Sequence, residues 1–285
     1  MNTLERTRLI SRAFSRPVLE GIARSGVASD VTRELADLGV TSERKNAVVG
    51  DLFDAGLSAM ESHYRCEYVY KAAIANRIVF GRHSPRTSSL AIELGVGSSI
   101  VDAAVFNGTS TAYEIKTEFD SHRRLSSQTS DYLRAFDRVY LVTHPQLANR
   151  YAALIDQRVG VLCLTEKGSL SELRPAIGDA TRVEAGPVLR MLRQQEYMDA
   201  VQTHFGPQPV LPNGRLFEHY AALFEMLSPQ QAHDALVNAM RARTTDDETV
   251  TFVQALPKSL RALGYATPLS RPQRRRVLEA LAIRL

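Results

Sequence analysis

Asp102 is followed twelve residues later by Glu114, Ile115 and Lys116, a set that combines two carboxylates with an amine. Carboxylates are hard oxygen ligands for divalent cations, and a lysine beside a bound cation could assist hydrolysis. The spacing alone is weak evidence, because an acid followed a dozen residues later by Glu-x-Lys arises by chance in many charged proteins. The set can act together only if the backbone brings its side chains to one face.

Two short apolar runs, residues 99–106 and 110–117, carry these side chains. The first run is rich in β-branched residues, and the Asn107-Gly108 pair between the runs predicts a β-hairpin. Successive side chains of a strand point to opposite faces, so Glu114 and Lys116 are expected to share a face.

The length of the turn decides whether Asp102 shares that face. A two-residue loop would put Asp102 opposite Tyr113, with its carboxylate on the wrong side of the sheet. A three-residue loop at 106–108, with Gly108 left-handed, would pair Asp102 with Ala112 and bring the carboxylates together. We therefore predict a loop of odd length.

Helical patterns flank the hairpin region on both sides. Apolar residues at three- and four-residue spacing predict helices at 18–24, 31–38, 47–62, 67–80, 125–137 and 146–156, and again from 188 to the end. Strands are predicted at 92–96, 138–144, 159–164 and 169–173, beside the hairpin. This order predicts an α/β fold with a mixed sheet covered by helices on both faces. The predicted regions are a helical N-terminal part (1–63), a core (64–176) and a helical C-terminal part (177–285).

The composition is that of a globular chain. Its 285 residues are 44% apolar, enough for a sizeable core. There is no apolar leader pattern and no run near the roughly 18 apolar residues of a membrane span, so we expect neither secretion nor a membrane. Two cysteines are too few for a disulfide framework, which predicts a cytoplasmic location. A net charge of +4 permits a nucleic-acid partner without requiring one.

Several stretches around the hairpin resemble an uncharacterised bacterial family that is grouped with the PD-(D/E)XK nucleases. They are residues 64–71 (YRCEYVYK), 81–84 (GRHS) and 113–120 (YEIKTEFD), with Arg124-Leu125 and Gln128 beyond them. The resemblance covers roughly residues 64–145. It implies a restriction-endonuclease-like core with helical additions at both ends. It also implies hydrolysis of nucleic acid that depends on Mg²⁺ or Mn²⁺, with a DNA endonuclease as the leading expectation.

The same resemblance implies roles for individual residues. Asp102, Glu114 and the Ile115 carbonyl would hold the metal, while Lys116 would orient or deprotonate the attacking water and offset transition-state charge. The further candidates are Glu67 and Glu93 as outer metal ligands, Gln128 as a catalytic residue, and Arg123 and Arg124 as phosphate contacts.

Plainer interpretations of these residues stay open. The hairpin set could be a half-buried strand pair with a Glu-Lys contact, and Glu67 could simply pair with Lys71 one helical turn away. Gln128 could lie on a solvated helix face, and the two arginines in a flexible basic loop. No glycine-rich phosphate loop is present, and a hydrolase triad around His122 lacks the Gly-x-Ser-x-Gly elbow.

Three functions are compatible with the sequence. The first is the nuclease, serving defence or mobile-element biology, for which a homodimer would supply the two active sites of a duplex cut. The second is a nucleic-acid-binding or regulatory protein that keeps the nuclease fold without cutting. The third is an interaction scaffold built from the helical flanks.

Overall fold

The computed structural model describes the chain from Met1 to Leu285. Its strands are β1 (Ser89–Val96), β2 (Ser99–Phe106), β3 (Ser110–Lys116), β4 (Arg138–Thr143), β5 (Gly160–Leu164) and β6 (Leu170–Arg174). The helices before the sheet are α1 (Thr3–Ser11), α2 (Arg16–Ser25), α3 (Ser29–Asp37), α4 (Val49–His63) and α5 (Glu67–Ile74), which continues as a π-helix over Ala75–Arg82. Two helices lie within the sheet region, α6 (Leu125–Leu133) and α7 (Pro145–Ala152).

The chain after β6 is helical. Its helices are α8 (Ala185–Met191), α9 (Gln194–Phe205), α10 (Asn213–Glu225), α11 (Pro229–Ala242), α12 (Asp247–Ala255), α13 (Arg261–Ala266) and α14 (Arg271–Leu281). Sequence signals set several of these starts. Ser228 caps α11 in a capping box with Gln231, and Pro229 occupies the first turn, where its missing N–H costs no hydrogen bond.

The six strands form one mixed sheet in the order β1-β2-β3-β4-β5-β6. The first three strands are antiparallel, β3, β4 and β5 are parallel, and β6 returns antiparallel to β5. Helices α6 and α7 make the two crossovers that parallel neighbours require. The prediction of an α/β fold with a mixed sheet covered by helices is confirmed.

A separate hydrophobic core lies on each face of the sheet. The first core joins Tyr113 and Ile115 of β3 to α1–α5 and α12–α14. The second joins Ala112 of β3 to α6–α11. The predicted N-terminal region therefore packs in the first core only, whereas the central and C-terminal regions contribute to both cores.

The predicted element order is confirmed, with corrections at two places. Helix α1 lies in the N-terminal part that was predicted to be helical, but before the first individual helix predicted there. The helix that begins at Glu67 was expected to stop at Gly81, but its π-helical part continues to Arg82. In addition, no helix of the structure is both long enough and apolar enough to cross a membrane.

The β2–β3 turn has the odd length that was predicted, although its register differs. Phe106 pairs with Ser110, which leaves a three-residue loop of Asn107, Gly108 and Thr109. Gly108 has a φ of 100°, a conformation that residues with a Cβ rarely adopt. The expected pairing of Asp102 with Ala112 is wrong, because Ala112 pairs with Ala104.

The register places three acids in one row across neighbouring strands. Ile92 pairs with Ala103 and Leu94 with Val101, so Glu93 lies opposite Asp102. The β2–β3 ladder ends at Ala103 and Tyr113, one position before Asp102 would meet Glu114. Beyond that row β2 stays paired with β1 and separates from β3.

Side chains exchange faces at this row on both β1 and β2. Leu90 and Ile92 pack in the first core, whereas Leu94 and Val96 pack in the second. Glu93 stands between them with a φ of 56°, the one non-glycine residue with a positive φ. A left-handed conformation costs a residue with a Cβ roughly 1–2 kcal/mol, and such outliers concentrate at functional sites.

The turn yields a prediction about stability. Gly108→Ala should lower the free energy of unfolding by about 1–2 kcal/mol, because a Cβ disfavours positive φ. No atom lies within 4 Å of the added Cβ at Gly108 or at Gly95 of β1, and Gly95 has no positive φ. Urea unfolding of both variants tests this. A loss at Gly95→Ala as large as that at Gly108→Ala would contradict the backbone explanation.

Candidate active site

A cleft of about 410 Å³ opens where β2 and β3 separate. Asp102 reaches it from β2, Glu114, Ile115 and Lys116 from β3, and Glu67 from the first turn of α5. The remaining lining residues come from the β1–β2 turn, the start of β2, and the loop and helix after β3: Ser98, Ser99, Ile100, Asp120, Arg124, Ser127 and Gln128. The structure thus brings together seven of the nine predicted site residues.

Asp102 takes the place of a missing strand hydrogen bond. Its Oδ2 accepts from the backbone N–H of Ile115 at 2.6 Å, just beyond the end of the β2–β3 ladder. Burial and then the negative charge of Glu114 raise the pKa of Asp102 to about 7, although the Ile115 hydrogen bond acts in the opposite direction. The carboxylates of Asp102 and Glu114 therefore lie close enough to repel each other where both are shielded from solvent.

Glu114 is the most enclosed acid of the site, with 1% of its surface exposed. Lys116 Nζ donates to its Oε1 at 2.6 Å, and the Tyr132 hydroxyl of α6 donates to its Oε2 at 2.8 Å. The same hydroxyl lies 2.7 Å from the Ile100 carbonyl oxygen. Glu114 and Lys116 share a face, as predicted, while Tyr113 and Ile115 pack in the core on the other side.

Glu67 and Glu93 are joined through a buried lysine. Lys71 Nζ lies 2.5 Å from Glu67 Oε1 and 2.8 Å from Glu93 Oε1, and only 8% of its side chain is exposed. Burial alone would lower the pKa of Lys71, but the two carboxylates outweigh burial and raise it. Glu67 lines the cleft, whereas Glu93 also pairs with Arg16 at 3.0 Å and lies outside it. The helix pair between Glu67 and Lys71 is therefore present, and the metal-ligand roles of both acids stay predictions.

The candidates after β3 line the open side of the cleft. Gln128 Oε1 is buried without a hydrogen-bond partner. Arg124 lines the cleft, and Arg123 lines an adjoining cavity of about 540 Å³ that also contains Lys116 and Gln128. Neither arginine forms an ion pair, whereas several other arginines of the chain pair with an Asp or Glu.

The donor set fits a small, hard cation in part. No group of three His, Cys, Asp or Glu side chains lies close enough together to hold a metal ion. Mg²⁺, however, usually keeps several waters and takes only one or two carboxylates. Asp102 and Glu114 supply two. Burial and then repulsion from Glu114 raise the pKa of Asp102, and a bound cation would relieve that repulsion.

Sequence reasoning missed three features of the site. Lys71 appeared only as a helical neighbour of Glu67, and nothing in the sequence showed that it reaches Glu93. The bond from the Tyr132 hydroxyl to Glu114 could be anticipated only from the shared helix face of Tyr132 and Gln128. Ser98 and Ser99 both donate to Asp131 Oδ2, at 2.9 and 2.7 Å, and tie the β1–β2 turn to α6.

The fold and site define an α/β protein with a mixed six-stranded sheet and an acidic cleft at its hairpin. The sequence profile of the family described as bacteriophage P4 protein cII matches residues 60–263, more than half of the chain. The chain belongs to this family. The matched segment includes the whole sheet and every predicted site residue.

Two individual proteins are similar to this chain over limited lengths. Protein cII of Enterobacteria phage P4 is 34% identical over 61 residues, which are 21% of this chain and 23% of the phage protein. The similarity thus spans about a quarter of that curated relative. A solved protein of unknown function from Silicibacter pomeroyi has 13% identity and a TM-score of 0.28, covering 44% of this chain and 86% of the other.

The charge on Asp102 should make folding stability depend on pH. The folded state holds the Asp102 proton up to about pH 7, whereas the usual pKa is 3.8. The native state therefore binds more protons between these values, and wild-type stability should fall as pH rises through them. The asparagine of Asp102→Asn carries no charge, so the free energy of unfolding of this variant should rise relative to that of wild type across this interval, by up to about 1.4 kcal/mol per pH unit. Chemical unfolding in EDTA at pH 4, 6 and 8 measures the difference.

Asp156 provides a control of opposite sign. Its hydrogen bonds with Arg158 lower the pKa of Asp156 to about 2, so Asp156→Asn should lose stability once the pH exceeds the usual aspartate pKa. An Asp102→Asn variant whose stability relative to wild type does not rise between pH 4 and pH 8 would contradict the raised pKa of Asp102.

Proposed function

We propose that this chain is a Mg²⁺- or Mn²⁺-dependent nuclease of the PD-(D/E)XK type that hydrolyses phosphodiester bonds in DNA. The observation that carries the proposal is the convergence of Asp102, Glu114, Ile115 and Lys116 on one cleft, where β2 and β3 separate. A structural strand pair would gain nothing from leaving two carboxylates to repel each other there.

The carboxylates and the lysine would divide the chemistry. Asp102, Glu114 and the Ile115 carbonyl would hold the divalent ion. When bound, the ion would polarise a phosphate oxygen and lower the pKa of a water. Lys116, already bonded to Glu114, would orient the attacking water and offset charge on the transition state. Gln128 would help position that water, since its buried Oε1 lines the cleft without a partner.

The arrangement of the sheet supports a restriction-endonuclease-like core. An antiparallel hairpin carries the acids, and a helix and a parallel strand follow it directly. In this proposal α5 and α6 flank the hairpin, and the helices at both chain ends are additions to the core. Glu67 of α5 lines the cleft and would act as an outer ligand after Lys71 releases its carboxylate.

Unpaired positive charge beside the cleft supports a polyanionic substrate. Arg123 and Arg124 are exposed, form no ion pairs and border the cavities that contain Lys116. Guanidinium groups bind phosphate oxygens in bidentate fashion. A homodimer would present two such sites to a duplex. Similarity to a protein of phage P4 supports a role in mobile-element biology.

The nuclease proposal predicts divalent-ion-dependent cleavage of plasmid DNA by the purified full chain. Lys116→Ala should slow cleavage by about 10²- to 10⁴-fold, the usual contribution of a group that assists proton transfer. Lys167→Ala, at an exposed lysine of the β5–β6 turn, should cleave like wild type. Gel assays of supercoiled plasmid with Mg²⁺ or Mn²⁺ give the rates.

A second variant separates lost chemistry from lost folding. Lys116→Ala leaves buried Glu114 without its cation and is expected to be less stable, whereas Asp102→Asn is expected to be more stable. Loss of cleavage in both variants would assign the effect to the site. Cleavage by Asp102→Asn at the wild-type rate would rule out the proposed metal site.

One observation favours a non-cleaving alternative. Lys116 and Tyr132 already engage both carboxylate oxygens of Glu114, as expected of a nuclease fold that retains nucleic-acid binding alone. Such a regulatory protein would bind DNA in a salt-sensitive manner, with no cleavage by wild type under any divalent ion. That result would replace the nuclease proposal.

A further inference from the structure

Two aromatic rings and an arginine form a small exposed cluster outside the cleft. The rings of Tyr64 and Phe119 lie 5.2 Å apart between centroids and are tilted by 42°. The guanidinium carbon of Arg8 lies 5.4 Å from the Tyr64 ring and 6.0 Å from the Phe119 ring. Phe119 keeps 49% of its surface exposed. We call these three residues the aromatic platform.

Two residues of the platform are close in sequence to residues that line the cleft. Tyr64 precedes the cleft residue Glu67 by three positions, and Phe119 follows Lys116 by three. Three residues of chain span at most about 10 Å. The Cα atoms of Tyr64 and Phe119 therefore lie within about 10 Å of those of Glu67 and Lys116, respectively, a separation that one or two nucleotides can span.

The loop that carries Phe119 is fixed by local hydrogen bonds. Asp120 Oδ2 accepts from the Thr117 backbone N–H at 2.8 Å and from the Thr117 hydroxyl at 2.7 Å. The Phe119 N–H donates to that hydroxyl at 3.2 Å. The half-exposed Phe119 ring is thus carried by a loop that short-range hydrogen bonds hold in place.

The charge around the platform selects the kind of partner. Arg8 forms no ion pair with any acid, and neither do Arg123 and Arg124 at the end of the loop that carries Phe119, although Glu118 and Asp120 are the immediate neighbours of Phe119 in the chain. Flat aromatic faces flanked by unpaired guanidinium groups match a nucleic-acid strand, whose bases stack on the rings while its phosphates contact arginine.

We propose that the aromatic platform stacks an unpaired base next to the phosphate in the cleft. This inference rests on the proposed function for the identity of the ligand as nucleic acid. A base inside an intact duplex cannot offer its face without being unstacked. The preferred substrates are therefore single strands, flaps, bulges and ends, rather than continuous duplex.

Binding of an oligonucleotide that carries 2-aminopurine tests the platform without requiring cleavage. The experiment uses the full chain in EDTA, and the chain contains no tryptophan to interfere with the probe. Wild type should quench the fluorescence of a single-stranded probe and should bind the paired duplex more weakly. Phe119→Ala should lose the quenching and bind the single strand roughly 5- to 100-fold more weakly, the usual effect of removing one stacking partner.

Matched variants separate stacking from a general loss of apolar surface. Phe119→Tyr keeps an aromatic face and should retain quenching, whereas Phe119→Leu keeps apolar volume and should lose it. Phe217→Ala removes another half-exposed phenylalanine, in α10, whose ring centroid lies 6.1 Å from that of Tyr197 in α9. This variant should bind like wild type.

The outcomes distinguish this inference from the nuclease proposal. Quenching that depends on the Phe119 ring would support the platform even if plasmid DNA is never cut. Equal quenching by wild type and Phe119→Ala, equal affinity for single strand and duplex, or no binding of either nucleic acid would overturn it. A protein partner would then be the better explanation for the exposed rings.

Discussion

Much of this structure depends on the point where β2 leaves β3. Up to Ala103 and Tyr113 the two strands are joined by a regular ladder, and at the next position the Asp102 carboxylate accepts the Ile115 N–H. A buried backbone N–H without a partner would cost about 1–3 kcal/mol, so the side chain makes the separation of the strands tolerable. The separation in turn opens the cleft and leaves Asp102 beside Glu114.

Charge balance is the second constraint on the site. Four acids, Glu67, Glu93, Asp102 and Glu114, face two lysines that are almost completely buried. Each lysine serves carboxylates within hydrogen-bonding distance, and Glu114 receives further support from the Tyr132 hydroxyl. Asp102 has no lysine in bonding distance, and burial together with the charge of Glu114 raises its pKa to about 7. Glu67, Glu93 and Glu114 thus have cationic partners within hydrogen-bonding distance, whereas Asp102 has none.

The sequence was most informative where a periodic pattern met a turn. Alternation in β3 placed Glu114 and Lys116 on one face, and the need to bring Asp102 to that face predicted an odd turn with Gly108 left-handed. The register itself could not be predicted, since loops at 106–108 and 107–109 both satisfy the alternation. The burial of Lys71 and the positive φ of Glu93 were also out of reach, because both follow from packing between α5, β1 and β2. The helix was predicted to end before Gly81, but its π-helical part includes this glycine.

Lys71 links an acid of the cleft to an acid outside it. Its ammonium is shared between Glu67, which lines the cleft, and Glu93, which lies on the outer strand beside Arg16. A cation that bound Glu67 would have to compete with Lys71 for its carboxylate. Lys71 would then keep Glu93, outside the cleft, as its counter-ion. Arg16 of α2, which holds the opposite side of Glu93, connects the N-terminal helices to the charge of a site that they do not line.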